Sequence, residues 1–251
     1  MSANELARKV VTNELKFQAE DHVHCMYRLE KEDAARKQVE ELVETNDGSL
    51  SRLLSIDGHP LDADRQQKES QRLQRLVSHP DEQRKLQQAS HKKAEQGARL
   101  FNLLPDVFVF AYAGRQGDQV TLTFTPNPNF QPPSLEARVF QAMQGEMTVD
   151  TKQQRLAAIN GHLMGNVKFG GGLLGHLDKG SKFEVRQAEV APGHWEMTSL
   201  SVDMKGKALL FKTISVQENE NHSDFHRLPD DLTLAEAADR LNRQLVAAVN
   251  P

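Results

Sequence analysis

The chain has 251 residues, 38% of them hydrophobic and 26% charged, with a net charge of −4 and a single cysteine. That balance of apolar residues and mixed-sign charge excludes a disordered chain, and one cysteine excludes an internal disulfide. No apolar run reaches the roughly eighteen residues of a spanning helix, and no concentrated basic face is evident for a phosphate backbone, which sets nucleic acid aside as a partner.

Ser2 and Glu5 form a capping box, and Leu6, Val10, Val11, Leu15 and Phe17 give an apolar stripe, so a first helix is expected to about residue 19. From His22 the period changes to two, with Val23, Cys25, Tyr27 and Leu29 on one face of a half-buried strand. A second strand is expected around Val39, Glu41 and Val43. After the turn residues Asn46-Asp47-Gly48, a third runs from Leu50 to Ile56. Residues 62–104 are dominated by Gln, Lys, Arg, Glu and Ala with sparse apolar positions, which predicts two mostly solvated helices broken at Pro80.

Strands return after Pro105, over 107–113 and 120–124, and the prolines of 125–133 end the ladder. Ser134 is placed to cap a short helix through Val139 and Phe140. Strands over 146–149, 156–167, 183–190, 195–204 and 208–218, separated by Gly- and Asp-containing turns, read as an antiparallel meander. Thr233 and Glu236 form a second capping box opening an amphipathic C-terminal helix. Helices and strands are segregated rather than alternating, which predicts an α+β fold. One domain is expected over 1–251, with 62–104 as a helical insertion.

Chemistry-bearing patterns are few. Gly170, Gly172 and Gly175 match the letters of a dinucleotide fingerprint, but the flanks read as antiparallel strands with no following helix. Two readings remain for this stretch: a plain connection, or a lid in which Leu173, Leu174 and Leu177 cover a cavity and Gly170, Gly171, Gly172, Gly175 and Gly180 act as hinges. His222, Asp224 and His226 alternate and on a strand would share a face, making them weak metal candidates. Cys25 reads as a small buried hydrophobe. No motif assigns a catalytic residue or a cofactor; a hydrolase built on His176 and Asp178 is the least favoured reading. Phe124, Phe140, Met147, Phe169, Phe183, Trp195 and Phe211 either fill a core or line an apolar cavity.

The stretch Ser51-Arg52-Leu53-Leu54-Ser55-Ile56-Asp57-Gly58-His59-Pro60-Leu61, then Gly145-Glu146-Met147-Thr148-Val149-Asp150 and Arg155-Leu156, resembles the outer-membrane lipoprotein-carrier-like superfamily, including its sigma-factor-regulator relatives. Residues 169–179 and Phe211-Lys212-Thr213-Ile214-Ser215 resemble a group of bacterial envelope proteins with no attached activity. The resemblance implies a strongly curved, U-shaped half-barrel sheet with helices covering its concave face. It also implies a non-enzymatic role in binding lipid or lipoprotein acyl chains between the two. The expected address is periplasmic or otherwise exported; the first residues lack an export signal, so a cytoplasmic address stays open. The competing expectation is a protein-interaction or sensor module that uses the 62–104 helices to hold an envelope protein and binds no small molecule.

Overall fold

The computed structural model describes residues 1–20, 23–172, 174–208 and 212–249, with 80, 172, 208, 212 and 244–249 described for the main chain only. In chain order the elements begin with α1 (Ala3–Glu20), β1 (Cys25–Asp33), β2 (Lys37–Thr45), β3 (Gly48–Ile56) and β4 (His59–Pro60). The helices α2 (Ala63–Ser78) and α3 (Pro80–Val107) follow, then β5 (Phe108–Gln116), β6 (Gln119–Pro126), α4 (Leu135–Gln141), β7 (Met143–Asp150) and β8 (Arg155–Leu163). Beyond them come β9 (Val167–Phe169), β10 (Gly175–Leu177), β11 (Lys182–Ala191), β12 (His194–Ala208), β13 (Lys212–Arg227) and α5 (Leu234–Val249).

Among the described residues the strands pair in the order β4-β3-β2-β1-β13-β12-β11-β8-β7-β6-β5, with β10 joined to β9 and β12 beside that path. The α+β class with a large antiparallel sheet is as expected. The path is open, running from β4 to β5, and does not bear out the strongly curved half-barrel. The residues cluster into two compact units. The first is Met1–Asp21, Gln96–Ala188 and Trp195–Glu218; the second is His22–Glu95, Glu189–His194 and Asn219–Pro251.

The first unit is built on the hairpin ladder β5-β6-β7-β8-β11. Ser2 and Glu5 start α1 as a capping box: the Ser2 amide donates to Glu5 Oε2 at 2.7 Å and the Glu5 amide to Ser2 Oγ at 3.2 Å. The stripe Leu6, Ala7, Val10 and Val11 is buried against Phe108, Phe110, Leu122, Phe124, Met147, Val149 and Ile159. Phe108 and Phe124 lie 4.5 Å apart at a tilt, a favoured aromatic arrangement. Between β7 and β8 the backbones approach so closely at Gly145 that a Cβ there would sit 1.9 Å from the Asn160 carbonyl oxygen.

In the second unit β1, β2 and β3 form an antiparallel ladder with Met26 opposite Val43 and Val43 opposite Leu50. These three residues pack with Leu73 and Leu76 of α2 and Ala237, Ala238 and Leu241 of α5. The sequence reading put the face of Val23, Cys25, Tyr27 and Leu29 inward. It is Met26, on the opposite face, that joins this core, and Tyr27 and Leu29 are only half-buried. Arg52 is 2% exposed; its guanidinium donates to the Leu241 carbonyl at 3.4 Å, to Asn242 Oδ1 and to Ser70 Oγ at 3.2 Å, tying β3 to α5 and α2. Burial holds its pKa below the ordinary arginine value.

Two helices lie where residues 62–104 suggested them, with Asp62 capping α2 through the Arg65 amide at 2.8 Å. The second continues through Pro105 to Val107 instead of stopping before it. The Gly-rich stretch holds two short strands that the sequence reading treated as loop. The last strand extends to Arg227 through its polar run.

Candidate ligand groove

A groove of about 710 Å³ opens in the first unit, among α1, the end of the β5/β6 hairpin and the 151–154 turn. Its floor is apolar: Leu6 and Val120 are each 6% exposed, and the half-exposed ring of Tyr112 forms one wall. The register of β5 against β6 slips between Tyr112 and Gly114, and Ala113 and Gly114 both line the groove. A Cβ on Gly114 would meet nothing within 4 Å.

The polar rim is held by local bonds. Arg115 Nε donates to the Gly117 carbonyl at 3.0 Å, across a turn that Gly117 closes with a φ of 60°. The Thr151 hydroxyl donates to the Asp118 carbonyl at 2.7 Å. Gln154, at a φ of 56°, accepts from Asn13 Nδ2 at 3.2 Å through its carbonyl. Among the described lining residues none is a carboxylate, histidine, cysteine or serine, and Arg115 carries the one charged side chain. Such a surface can bind and orient a ligand.

Behind the 151–154 turn, Glu14 of α1 and Arg155 of β8 form a buried bidentate ion pair at 2.7 and 3.1 Å, with side chains 9% and 7% exposed. The same carboxylate accepts from the Leu156 amide at 2.8 Å. The Arg155 guanidinium lies 4.2 Å over the Phe17 ring and 5.6 Å from that of Trp195, and Trp195 Nε1 donates to Gln153 Oε1 at 2.9 Å. Glu14 occupies the position after Val10 on the buried stripe of α1, four residues on. A carboxylate on an apolar stripe was the signal in the sequence for a buried cation partner.

The described apolar candidates read from the sequence are not among the groove's described lining residues. Phe124 and Met147 are fully buried in the first unit's core, and Phe140, Phe169, Leu177 and Phe183 pack partly buried against it. Trp195 is half-buried beside Arg155, and Leu174 is 53% exposed. Leu173 and Phe211 lie outside the described residues. The groove residues Tyr112, Gly114 and Arg115 went unnoticed because the relevant event is a bulge in the β5/β6 pairing, and no short-range pattern marks it.

The glycine-rich stretch forms a hairpin. Residues Val167–Phe169 pair with Gly175–Leu177, and the latter also pair with 206–208 of β12. Gly170, Gly171, Gly175 and Gly180 take φ values of 54°, 67°, 130° and 83°, in the left-handed range that glycine tolerates. The amides of Asp178 and Gly180 donate to the carbonyls of Lys205 and Leu163, so the segment proposed as a lid is bonded along both strands. The strand β11 follows it, paired antiparallel to β8, as the reading of antiparallel flanks expected. His176 Nε2 stands 3.1 Å from Asp178 Oδ1, and the described bonds of His176 include no hydroxyl or thiol.

His222, Asp224 and His226 do not gather. Asp224 takes a φ of 55°, which breaks the alternation, so that His222 and Phe225 stack on Tyr27 at 5.2 and 5.1 Å while Asp224 and His226 are exposed. His222 Nε2 lies 3.4 Å from Glu220, which also accepts from Lys31 Nζ at 3.0 Å. These bonds hold the Glu220 carboxyl down at about 2. Cys25 is buried as expected, and its Sγ lies 3.5 Å from His194 Nε2, a partner the sequence reading missed. Compared with protein-family models, with curated proteins and with solved structures, the chain matches none.

Proposed function

We propose that the chain is a non-enzymatic binding protein that holds a small amphipathic ligand in the groove of its first unit. The apolar part of the ligand lies on Leu6, Val120 and the Tyr112 ring, and its anionic head is directed to Arg115. The observation that carries this reading is the lining itself. An apolar floor with one charged side chain and hydrogen-bonding groups at its rim, in a groove of about 710 Å³, falls in the ordinary range for small-molecule sites. Each buried methylene adds about 0.8 kcal/mol before ordering costs are subtracted. The resemblance to lipoprotein-carrier-like proteins makes an acyl chain the natural apolar part and an exported protein of the bacterial envelope the natural setting.

The test is titration with a fluorescent fatty acid and with its uncharged alcohol analogue. Saturable binding of the acid is expected. Gly114→Trp, which projects a side chain into open groove space, abolishes it. Arg115→Gln weakens the acid and leaves the alcohol unchanged. Binding that survives Gly114→Trp would remove the groove from the account.

A further inference from the structure

The thiol of Cys25 and the imidazole of His194 are buried side by side, with no part in the groove. Cys25 opens β1 and is 2% exposed, His194 opens β12 and is 6% exposed, and Cys25 Sγ lies 3.5 Å from His194 Nε2. Both residues belong to the second unit. Glu196 follows His194 by two positions in β12, so strand alternation returns its half-buried side chain to the same face. One ligand atom from each of the three lies within 4.8 Å of the others, and among the described residues no other three histidine, cysteine or carboxylate side chains gather so closely. Glu44 of β2 accepts from the Cys25 amide at 3.0 Å, which fixes the main chain that carries the thiol.

We propose that Cys25, His194 and Glu196 bind a zinc ion. Thiolate sulfur holds zinc at about 2.3 Å and imidazole nitrogen at about 2.1 Å, and at the tetrahedral angle these bonds set the two atoms about 3.6 Å apart. Cys25 Sγ and His194 Nε2, 3.5 Å apart, already have that spacing. A carboxylate oxygen completes such a triangle about 3.5 Å from each, within reach of a rotation of the Glu196 side chain. The donors also select the ion: sulfur, nitrogen and oxygen together suit zinc, whereas magnesium and calcium take oxygen donors alone.

Binding converts the Cys25 thiol to a thiolate and releases its proton. One thiolate, one carboxylate and a neutral imidazole then balance the two positive charges of the ion, so the buried assembly carries no net charge. The ion ties the start of β1 to the start of β12, two strands that β13 separates in the sheet order.

Titration of the reduced full chain with cobalt(II), followed by zinc, tests it. A thiolate-to-cobalt charge-transfer band and the visible bands of a tetrahedral site are expected, and one equivalent of zinc should abolish them. Zinc should also raise the thermal midpoint of the parent. Cys25→Ala, with circular dichroism verifying its fold, should lose both the band and the shift. Glu196→Gln should keep the thiolate band but weaken zinc by more than the roughly 10–100-fold typical of a partner outside the ligand set, and it decides the matter even where Cys25→Ala does not fold. Absence of the thiolate band in the parent, zinc that stabilises Cys25→Ala as much as the parent, or an unchanged zinc affinity in Glu196→Gln would overturn the proposal.

Discussion

Arg155→Met removes one half of the buried pair and leaves Glu14 as a carboxylate 9% exposed, still accepting from the Leu156 amide. Breaking a buried ion pair in this way costs about 3–5 kcal/mol, a large share of the roughly 5–15 kcal/mol that keeps a domain folded. Glu14→Leu strands the opposite charge and also leaves the Leu156 amide without that acceptor, a further cost on the order of 1–3 kcal/mol. The stacking of Arg155 on Phe17 offsets part of it. Glu14→Leu with Arg155→Met replaces the pair by apolar groups of similar volume and should lie much closer to the parent than either single variant. Trp195 is the only tryptophan of the chain and sits beside the pair, so urea unfolding followed by its fluorescence reports the unit that holds it. A coupling of about 3 kcal/mol or more is expected from the double-mutant cycle. Single variants within about 1 kcal/mol of the parent, or a double variant equal to the sum of the singles, would refute the reasoning.

Gly145→Ala places a Cβ 1.9 Å from the Asn160 carbonyl and must push β7 from β8; a loss on the order of 3 kcal/mol in urea unfolding is expected, and a neutral variant would contradict the close approach. Glu220, lowered from an ordinary 4.5 to about 2 by His222 and Lys31, contributes stability that is present above pH 4.5 and is lost as the pH falls toward 2. Glu220→Gln should therefore destabilise the protein at neutral pH and flatten its acid-unfolding profile across that window; a profile parallel to the parent's would count against the assignment. Thr233→Ala removes the hydroxyl that accepts the Glu236 amide at 3.2 Å and should cost about 1 kcal/mol by thermal unfolding.

The parts of the fold that were legible are those decided within a few residues. Both capping boxes form as read, Ser134 caps α4 through the Ala137 amide at 3.2 Å, and the break at Pro80 separates two helices. Period-two alternation located most strands but misassigned the inner face of β1, because Cys25 and Met26 are both buried and only the packing partners of Met26 decide which side is core. Residues 167–177 read as loop because glycine is poor in strands by propensity; their pairing depends on β12, thirty residues on. The 222–226 alternation failed for a single backbone reason, the left-handed Asp224, which aspartate tolerates better than most residues. The groove and the Glu14–Arg155 pair join positions more than a hundred residues apart, and one unaligned sequence carries that information only indirectly, as a carboxylate on an apolar stripe.

The most direct test of the ligand-binding claim is native mass spectrometry of the protein purified without detergent, before and after addition of a long-chain fatty acid, alongside Gly114→Trp. One bound fatty acid is expected on the parent and none on the variant. A parent that takes up no fatty acid, or a variant that takes up as much as the parent, would contradict it.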